Sequence, residues 1–334
     1  MVITKTPFRI SFFGGGTDYP IWYKENGGVV MSTTIDKYCY VLTRYLPPFF
    51  DHKYRIRYTK REEVKNIEEI EHPKVKESLK FLNIDKGIEL VHTSDIPANS
   101  GMGSSSAFTV GFLHGLYALG GKTISRHKLA LDAIHIEQDR TKENVGSQDQ
   151  VAAAFGGFNR IEFKGNHDIS VRPVAIKPDR LEELQGNLML FFTGFSRIAS
   201  DIAHEQIKNT PHKSEDLKKM CKMVNEATEI LSDESRSLDD FGRLLHEAWL
   251  VKKGLASKIT NPAIDEIYNT GLASGALGGK LLGAGGGGCV LFYVKPELQL
   301  RVKEKLKDLV HTPFRFENGG SQVIYNEKEN IKSV

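Results

Sequence analysis

The stretch IPANSGMGSSSAFTVGFLHGLYAL, beginning at Ile96, constrains the fold more than any other part of the chain. Three consecutive serines, Ser104, Ser105 and Ser106, follow Gly101 and Gly103. Behind them Ala107, Val110, Leu113 and Tyr117 recur at helical spacing, with Phe108, Phe112 and Leu116 alongside. Apolar residues on most sides predict a helix sunk in a core. The start of such a helix leaves backbone N–H groups unpaired and carries partial positive charge, and glycines let an anion come close without meeting a Cβ. One capping serine would be ordinary. Three behind two glycines exceed that need and point to an anion site. No Lys-Ser or Lys-Thr pair ends the loop, so it is not a GxxxxGK[ST] phosphate loop.

The rest of the chain supplies two cores. With 334 residues, two domains of roughly 150 residues each are expected. ITKTPFRISFF, GVVMSTTI, KYCYVLTRYL, YRIRY and GIELVHTS read as strands. A helix is expected from Ser125 to Arg140 with Ser125 as its cap, then a short helix QDQVAAAF and a strand FNRIEF. After the strand NLMLFFTG the sequence turns mostly helical, which sets a domain boundary at 186, with residues 1–186 and 187–334 on either side. Two short strands, around TPFRF and SQVIY, are expected near the end.

The net charge of +3 is mild and acids are interspersed with bases, as in KREEVKNIEEIEHPKVKESLK from Lys60, which reads as a solvated helix face. Nucleic acid is therefore not an expected partner. No apolar run reaches the roughly 18 residues of a membrane span, and MVITKTPFRI lacks a signal-peptide apolar region. With Cys39, Cys221 and Cys289 far apart and at no metal-binding spacing, a reducing, cytoplasmic setting is expected.

Several side chains carry chemistry. Glu137 falls three, four and seven residues after Ile134, Ala133 and Ala130, on an apolar face: either a surface Glu snorkelling out at the edge of the stripe, or a buried carboxylate that needs a metal ion, a basic side chain or a backbone cap. Asp149 begins a short helix, where an Asp is either a cap or one of two acids serving a cleft. In phosphoryl transfer one acid holds Mg²⁺ while another orients or deprotonates the attacking hydroxyl. PFRISFFGGGTDYP ends a strand in three glycines, Thr17 and Asp18: a plain turn, or a place where a polyol meets Asp18. Arg9 on that strand is an edge charge or a cation for a phosphoryl group. GAGGGG from Gly283 matches GxGxxG but opens into the strand CVLFYV, so a dinucleotide site is excluded; close backbone approach to another loop or a ligand explains it better.

PFRISFFGGGTDYP, PANSGMGSSSA and KLLGAGGGGCVLF, in that order, resemble the three signature stretches of the GHMP small-molecule kinases. The resemblance implies an α/β (α+β) fold of two domains, an N-terminal one like a ribosomal-protein fold and a ferredoxin-like C-terminal one, with the active site between them. It implies that Ser100, Gly101, Gly103, Ser104, Ser105 and Ser106 cradle ATP, and that Ser105 and Glu137 hold Mg²⁺. Asp149 would lie beside the acceptor hydroxyl with Arg9 next to it. Gly15, Gly16, Thr17, Asp18 and Gly286 would meet the acceptor, the loop from Gly283 to Gly288 closing the cleft.

Galactokinases carry Glu-His where this chain has Gly15 and Gly16, whereas PFRISFFGGGTDYPIWYKENGG resembles the bacterial D-glycero-D-manno-heptose 7-phosphate kinases. Those enzymes phosphorylate the anomeric hydroxyl to a 1,7-bisphosphate on the way to GDP-heptose. ATP and a sugar phosphate are then the expected partners; a homodimer is left open. A second cationic cluster would be needed for the distal phosphate, with Lys5, Arg9, Lys24, Arg160 and Arg197 as candidates. The alternatives are another sugar acceptor, as in fucokinases, or a non-enzymatic sugar sensor.

Overall fold

The computed structural model describes residues 1–165, 168–195 and 199–327. Its organising element is the strand Gly28–Tyr45, 18 residues long and rich in the β-branched and aromatic side chains that suit a half-buried pleated surface. Val2–Phe13 pairs antiparallel with one side of it. The other side takes Phe158–Phe163, then Phe316–Glu317, then Ile88–Ser94 in succession. Gln322–Asn326, from the far end of the chain, adds to the outer side of Val2–Phe13.

The helix Ser104–Leu119 lies against this sheet, and ten of its sixteen residues are buried, as its nearly all-round apolar pattern predicts. Gly111 lets it settle close. A Cβ there would stand 2.8 Å from Thr6 Oγ1, and the Gly111 carbonyl instead accepts a 3.0 Å hydrogen bond from Thr4 Oγ1.

A second, antiparallel sheet contains Leu188–Phe192, Gly278–Leu281, Cys289–Tyr293 and Val310–His311. Numbered in chain order they lie 4-1-3-2, the ferredoxin-like arrangement. The helices Ser214–Ser232, Asp239–Lys253 and Pro262–Ala273 intervene between its first two strands. The halves share one continuous apolar core. Phe12 and Phe13, at the end of the first strand, meet Phe241 edge-on at centroid distances of 5.4 and 5.1 Å. The chain passes to the second sheet just after residue 186, but residues 316–326 return to the first, so the second half is not everything beyond 186.

Two local expectations change. The charged segment from Lys60 is not one solvated helix: it forms the strand Arg61–Val64, a tight turn at Ile67–Glu69 and the helix Pro73–Phe81, which buries Lys74. Alternating charge reports exposure only on average, and here a single lysine points inward. The helix after Ser125, whose hydroxyl caps Lys128 N–H at 3.2 Å, is regular only over Arg126–Ile134. It continues as a π-helical turn, His135–Arg140, which carries Glu137. Such widened turns are frequent at functional sites. Among the described residues no helix is long and apolar enough to cross a membrane.

Candidate active site

A cleft opens between the two sheets at the start of the serine-rich helix. Arg9, Gly15, Gly16, Asp18, Gly101, Gly103, Ser104, Ser105, Ser106 and Asp149 line it. Gly103, in a left-handed conformation with φ of 73°, precedes the helix, and a Cβ there would press on Arg9 and Asp149 at 3.3 Å. The first-turn N–H groups have no partner four residues back, and Ser104, Ser105 and Ser106 line the cleft beside them, with the Ser106 hydroxyl turned back to Glu137. The two glycine loops meet backbone to backbone. A Cβ on Gly101 would lie 2.5 Å from the Leu282 carbonyl, one on Gly283 2.6 Å from Gly101 Cα.

Arg9 is buried and joins this loop to Asp149. Its Nε and Nη2 donate to Oδ1 and Oδ2 of Asp149, both at 2.8 Å, while Nη1 donates to the Gly101 carbonyl at 2.6 Å. A two-pronged pair of this kind fixes the plane of the carboxylate. Each oxygen keeps a lone pair for another donor.

Asp18 is the second acid of the cleft. Its Oδ1 accepts from Gly16 N–H at 2.9 Å and its Oδ2 from Gln148 N–H at 3.3 Å, which ties the first glycine turn to the helix bearing Asp149. Burial, helped by the charge of Asp149, raises its pKa despite those hydrogen bonds. Gly146 has to be glycine, because a Cβ would stand 1.9 Å from Asp18 Oδ2.

Glu137 lies behind the serines, fully buried. Oε1 accepts from Lys74 Nζ at 2.8 Å and Thr109 Oγ1 at 2.6 Å; Oε2 accepts from Ser106 Oγ at 2.8 Å and from Gln150 Nε2. Burial alone would raise its pKa. The Lys74 ammonium and these hydrogen bonds outweigh it and hold Glu137 below the usual carboxylate range. Of the partners open to this acid, the basic side chain is the one present.

Three expected ligands lie elsewhere. Thr17 is fully buried, and its Oγ1 is within hydrogen-bonding distance of the Gly14 and Val29 carbonyls (2.8 and 3.0 Å) and accepts from Val29 N–H (3.1 Å), so it braces the turn from behind. Gly286 does not line the cleft; its N–H goes to the Ile259 carbonyl at 2.9 Å. Ser100 is buried too, its carbonyl accepting from Cys289 N–H.

Of the nominated cations among the described residues, only Arg9 lines the cleft. Lys5 sits over the Tyr38 ring at 3.9 Å, Lys24 borders a neighbouring hollow, Arg160 is held by Glu162 and Asn225, and Arg197 lies outside the described residues. Two lysines that sequence reading passed over do line it, Lys252 and Lys280. Lys252 donates to the Gly283 carbonyl at 2.5 Å, and burial, with Arg9 nearby, brings its pKa down to about 8. Lys280 donates to the Phe12 carbonyl at 2.7 Å, and burial pushes its pKa well down. Ser11 Oγ and Gln148 Oε1 also line the cleft, buried and without a partner. Ser11 shares Arg9's strand face two residues on, a signal the sequence did offer.

Among the described residues three basic side chains line the cleft against two carboxylic ones, a balance that suits an anionic ligand. Donors at a helix start, an oriented carboxylate and buried cations are the parts a phosphoryl transfer needs. The GHMP kinases N terminal domain matches residues 66–157, and the GHMP kinases C terminal model matches residues 227–311. A D-glycero-alpha-D-manno-heptose 7-phosphate kinase of Campylobacter jejuni is 30% identical over 99% of this chain and 98% of its own length. The chain belongs to the GHMP kinase family. It is a phosphotransferase with a hydroxyl acceptor.

Two further likenesses fit this GHMP kinase. A solved D-glycero-D-manno-heptose 1-phosphate kinase from Bacteroides thetaiotaomicron shares the fold with a TM-score of 0.79 at 23% identity, covering 97% of this chain and 99% of that one. The bifunctional fucokinase/GDP-fucose pyrophosphorylase of Arabidopsis thaliana is 24% identical over 90% of this chain, which spans 31% of it.

Proposed function

We propose that this GHMP kinase transfers the γ-phosphoryl group of ATP to the anomeric oxygen of D-glycero-D-manno-heptose 7-phosphate, giving the 1,7-bisphosphate and ADP. The observation that carries the reading is the Arg9–Asp149 pair beside the serine-rich helix start, in a chain matched end to end by a heptose 7-phosphate kinase. The donor's phosphates lie on the N–H groups and hydroxyls of Gly101 to Ser106. Asp149, held in plane by Arg9, receives the anomeric O–H on a remaining lone pair. The anomeric oxygen bonds to the γ-phosphorus as the bond to the β,γ-bridging oxygen breaks. ADP leaves with that electron pair, and the proton passes to Asp149 or to solvent. The anomeric hydroxyl is the most acidic of the sugar, so orientation does most of the work.

Asp18, Ser11 and Gln148 hold sugar hydroxyls, and Lys280 with Lys252 neutralises the phosphate the acceptor already carries. The Mg²⁺ of the family fits here with one condition. Glu137 already accepts four hydrogen bonds, about all a carboxylate can take, so a metal ion at Ser105 and Glu137 has to displace a donor. Among the described residues no group of three or more His, Cys, Asp or Glu side chains is set to hold a metal. A Mg²⁺ ion that takes its other ligands from phosphates and water suits that. When bound it neutralises charge on the transferred group. An ATP donor and unpaired thiols at Cys39, Cys221 and Cys289 support a cytoplasmic setting.

A panel of sugars with and without a distal phosphate, assayed for ADP release, tests the reading. Turnover is expected to be at least about a hundredfold more efficient with the heptose 7-phosphate than with free heptose, fucose or galactose, the effect of a buried charged contact worth about 3 kcal/mol. Turnover of unphosphorylated sugars alone would move the assignment to a fucokinase-type acceptor. No ADP release with any sugar would leave a sensor.

A further inference from the structure

Resting on the kinase reading above, we propose that Lys74 is a tethered cation occupying the position between Ser105 and Glu137, and that Glu143 is the carboxylate it withdraws to when a divalent ion and nucleotide arrive. The Lys74 ammonium has three hydrogens and three acceptors. Its Nζ lies 2.5 Å from Ser105 Oγ, 2.8 Å from Glu137 Oε1 and 3.0 Å from Glu143 Oε2. Two of those acceptors, Ser105 and Glu137, are the pair to which the family resemblance assigns the metal.

Its place is not a default of the local chain. Lys74 stands at the start of the helix Pro73–Phe81, the end of a helix dipole that repels cations. Its side chain is 5% exposed, yet most lysines on short surface helices reach water. Two carboxylates overcome both costs. They differ in kind. Glu137 is sealed in and keeps three neutral donors if Lys74 leaves, whereas Glu143 is 27% exposed, beside Asn144 and Val145, which line the cleft. A doubly charged ion entering from the cleft side can therefore exchange for the ammonium at Glu137 while Lys74 stays paired to Glu143.

In the nucleotide-free protein the ammonium is shared between the two acids and holds Ser105 oriented, so Glu137 is paired without an ion. The same contact makes bare divalent ions compete with a built-in charge. A metal–nucleotide complex, with its phosphates docked on the helix start, outcompetes it. Lys74 is in this sense a positioning residue that couples metal entry to nucleotide entry.

Mn²⁺ binding followed by electron paramagnetic resonance, and melting temperature with and without Mn²⁺, test this without any turnover. Lys74→Met is expected to bind Mn²⁺ on the order of tenfold more tightly than the native protein in the absence of nucleotide, because the sealed Glu137 and the partly exposed Glu143 are both left with no cation. It should also melt lower without metal and recover when Mn²⁺ is added. Glu143→Gln removes the second host and keeps Lys74 on Glu137, so Mn²⁺ affinity in the presence of a non-hydrolysable ATP analogue should fall about tenfold. If Lys74→Met fails to fold without metal, folding on Mn²⁺ addition supports the proposal and failure with Mn²⁺ leaves the Glu143→Gln result to decide it. Mn²⁺ affinity unchanged in Lys74→Met, or unchanged in Glu143→Gln, overturns the exchange. Glu137→Gln separates the two levels: if it binds Mn²⁺ and nucleotide as the native protein does, the metal assignment itself is wrong, whatever Lys74 does.

Discussion

Two buried ion pairs flank the start of the serine-rich helix, and they are built for different work. Arg9–Asp149 opens on the cleft: the carboxylate is 25% exposed, and each oxygen keeps a lone pair. Lys74–Glu137 lies behind the serines, with Glu137 wholly buried and all of its acceptor capacity used. A carboxylate with capacity to spare can take a new donor at once. A saturated one can change partners only by exchange. On the proposed reading, that difference assigns the acceptor hydroxyl to Asp149 and reserves Glu137 for a charge that must displace another.

Substitution at the two acids should therefore separate them. Asp149→Asn removes the charge and points an amide N–H at Arg9, and we expect turnover to fall on the order of a thousandfold while nucleotide affinity stays nearly intact. Single-turnover phosphoryl transfer alongside equilibrium nucleotide binding measures both. Native turnover in that variant would end the assignment of Asp149. Glu137→Gln should show first in stability, because it uncouples a buried charge pair; a loss of roughly 3 kcal/mol is expected, at the low end for such a pair since Glu143 still partners Lys74. Urea unfolding decides that point, and a variant as stable as the native protein would mean that Glu137 is not what holds Lys74.

What could be read from the sequence follows a physical line. The glycines and serines before Ala107 were legible because each departs from what a helix start ordinarily needs. Glu137 was legible in part: a carboxylate at positions three, four and seven after apolar residues either snorkels out at the edge of the stripe or needs a buried partner, and spacing alone does not choose. The same test, applied to Lys252, which follows Trp249, Ala248 and Leu245 by three, four and seven, would have exposed that lysine as well. Lys280 lies in the four-residue strand Gly278–Leu281, too short for alternation to mark an inward-facing lysine. Lys74 had no such signal, because its burial comes from Glu137 and Glu143, 63 and 69 residues further on. The ferredoxin-like order was expected from the resemblance, but the return of residues 316–326 to the first sheet was not, since strand pairing over 300 residues leaves no local mark.

The first glycine turn offers a finer contrast, between Asp18, which faces the cleft, and Thr17, which turns its back on it. Thr17→Val keeps the shape and removes the hydroxyl shared with Gly14 and Val29, leaving the Val29 N–H unpaired in the interior. About 2 kcal/mol of stability should be lost, and acceptor KM should move by less than about twofold if the hydroxyl only braces the turn. Unchanged stability with a large rise in acceptor KM would return Thr17 to the substrate ligands.

The smallest expected effect is one of pH, and its sign is diagnostic. In the folded protein Lys252 titrates at about 8, below an ordinary lysine at 10.5, because burial disfavours its charge. Between those values the unfolded chain holds a proton that the folded one has released, so this residue's contribution to stability rises with pH across that window. The help proposed for it toward a phosphorylated acceptor runs the other way, since the ammonium is lost as pH climbs through about 8. A distal phosphate, with a second pKa of about 6, is already about nine-tenths dianionic at pH 7 and adds little slope above that. We therefore expect KM for the phosphorylated acceptor to rise a few fold, roughly 1 kcal/mol, from pH 7 to 9.5, while the melting temperature shows no matching loss from this group. Lys252→Met should flatten the KM profile and start from the weaker value. If that variant keeps the native slope, the charge that meets the distal phosphate belongs to Lys280 or Arg9 instead, and the contrast between the two ion pairs has to be redrawn with Lys252 as scaffolding for the Gly283 loop.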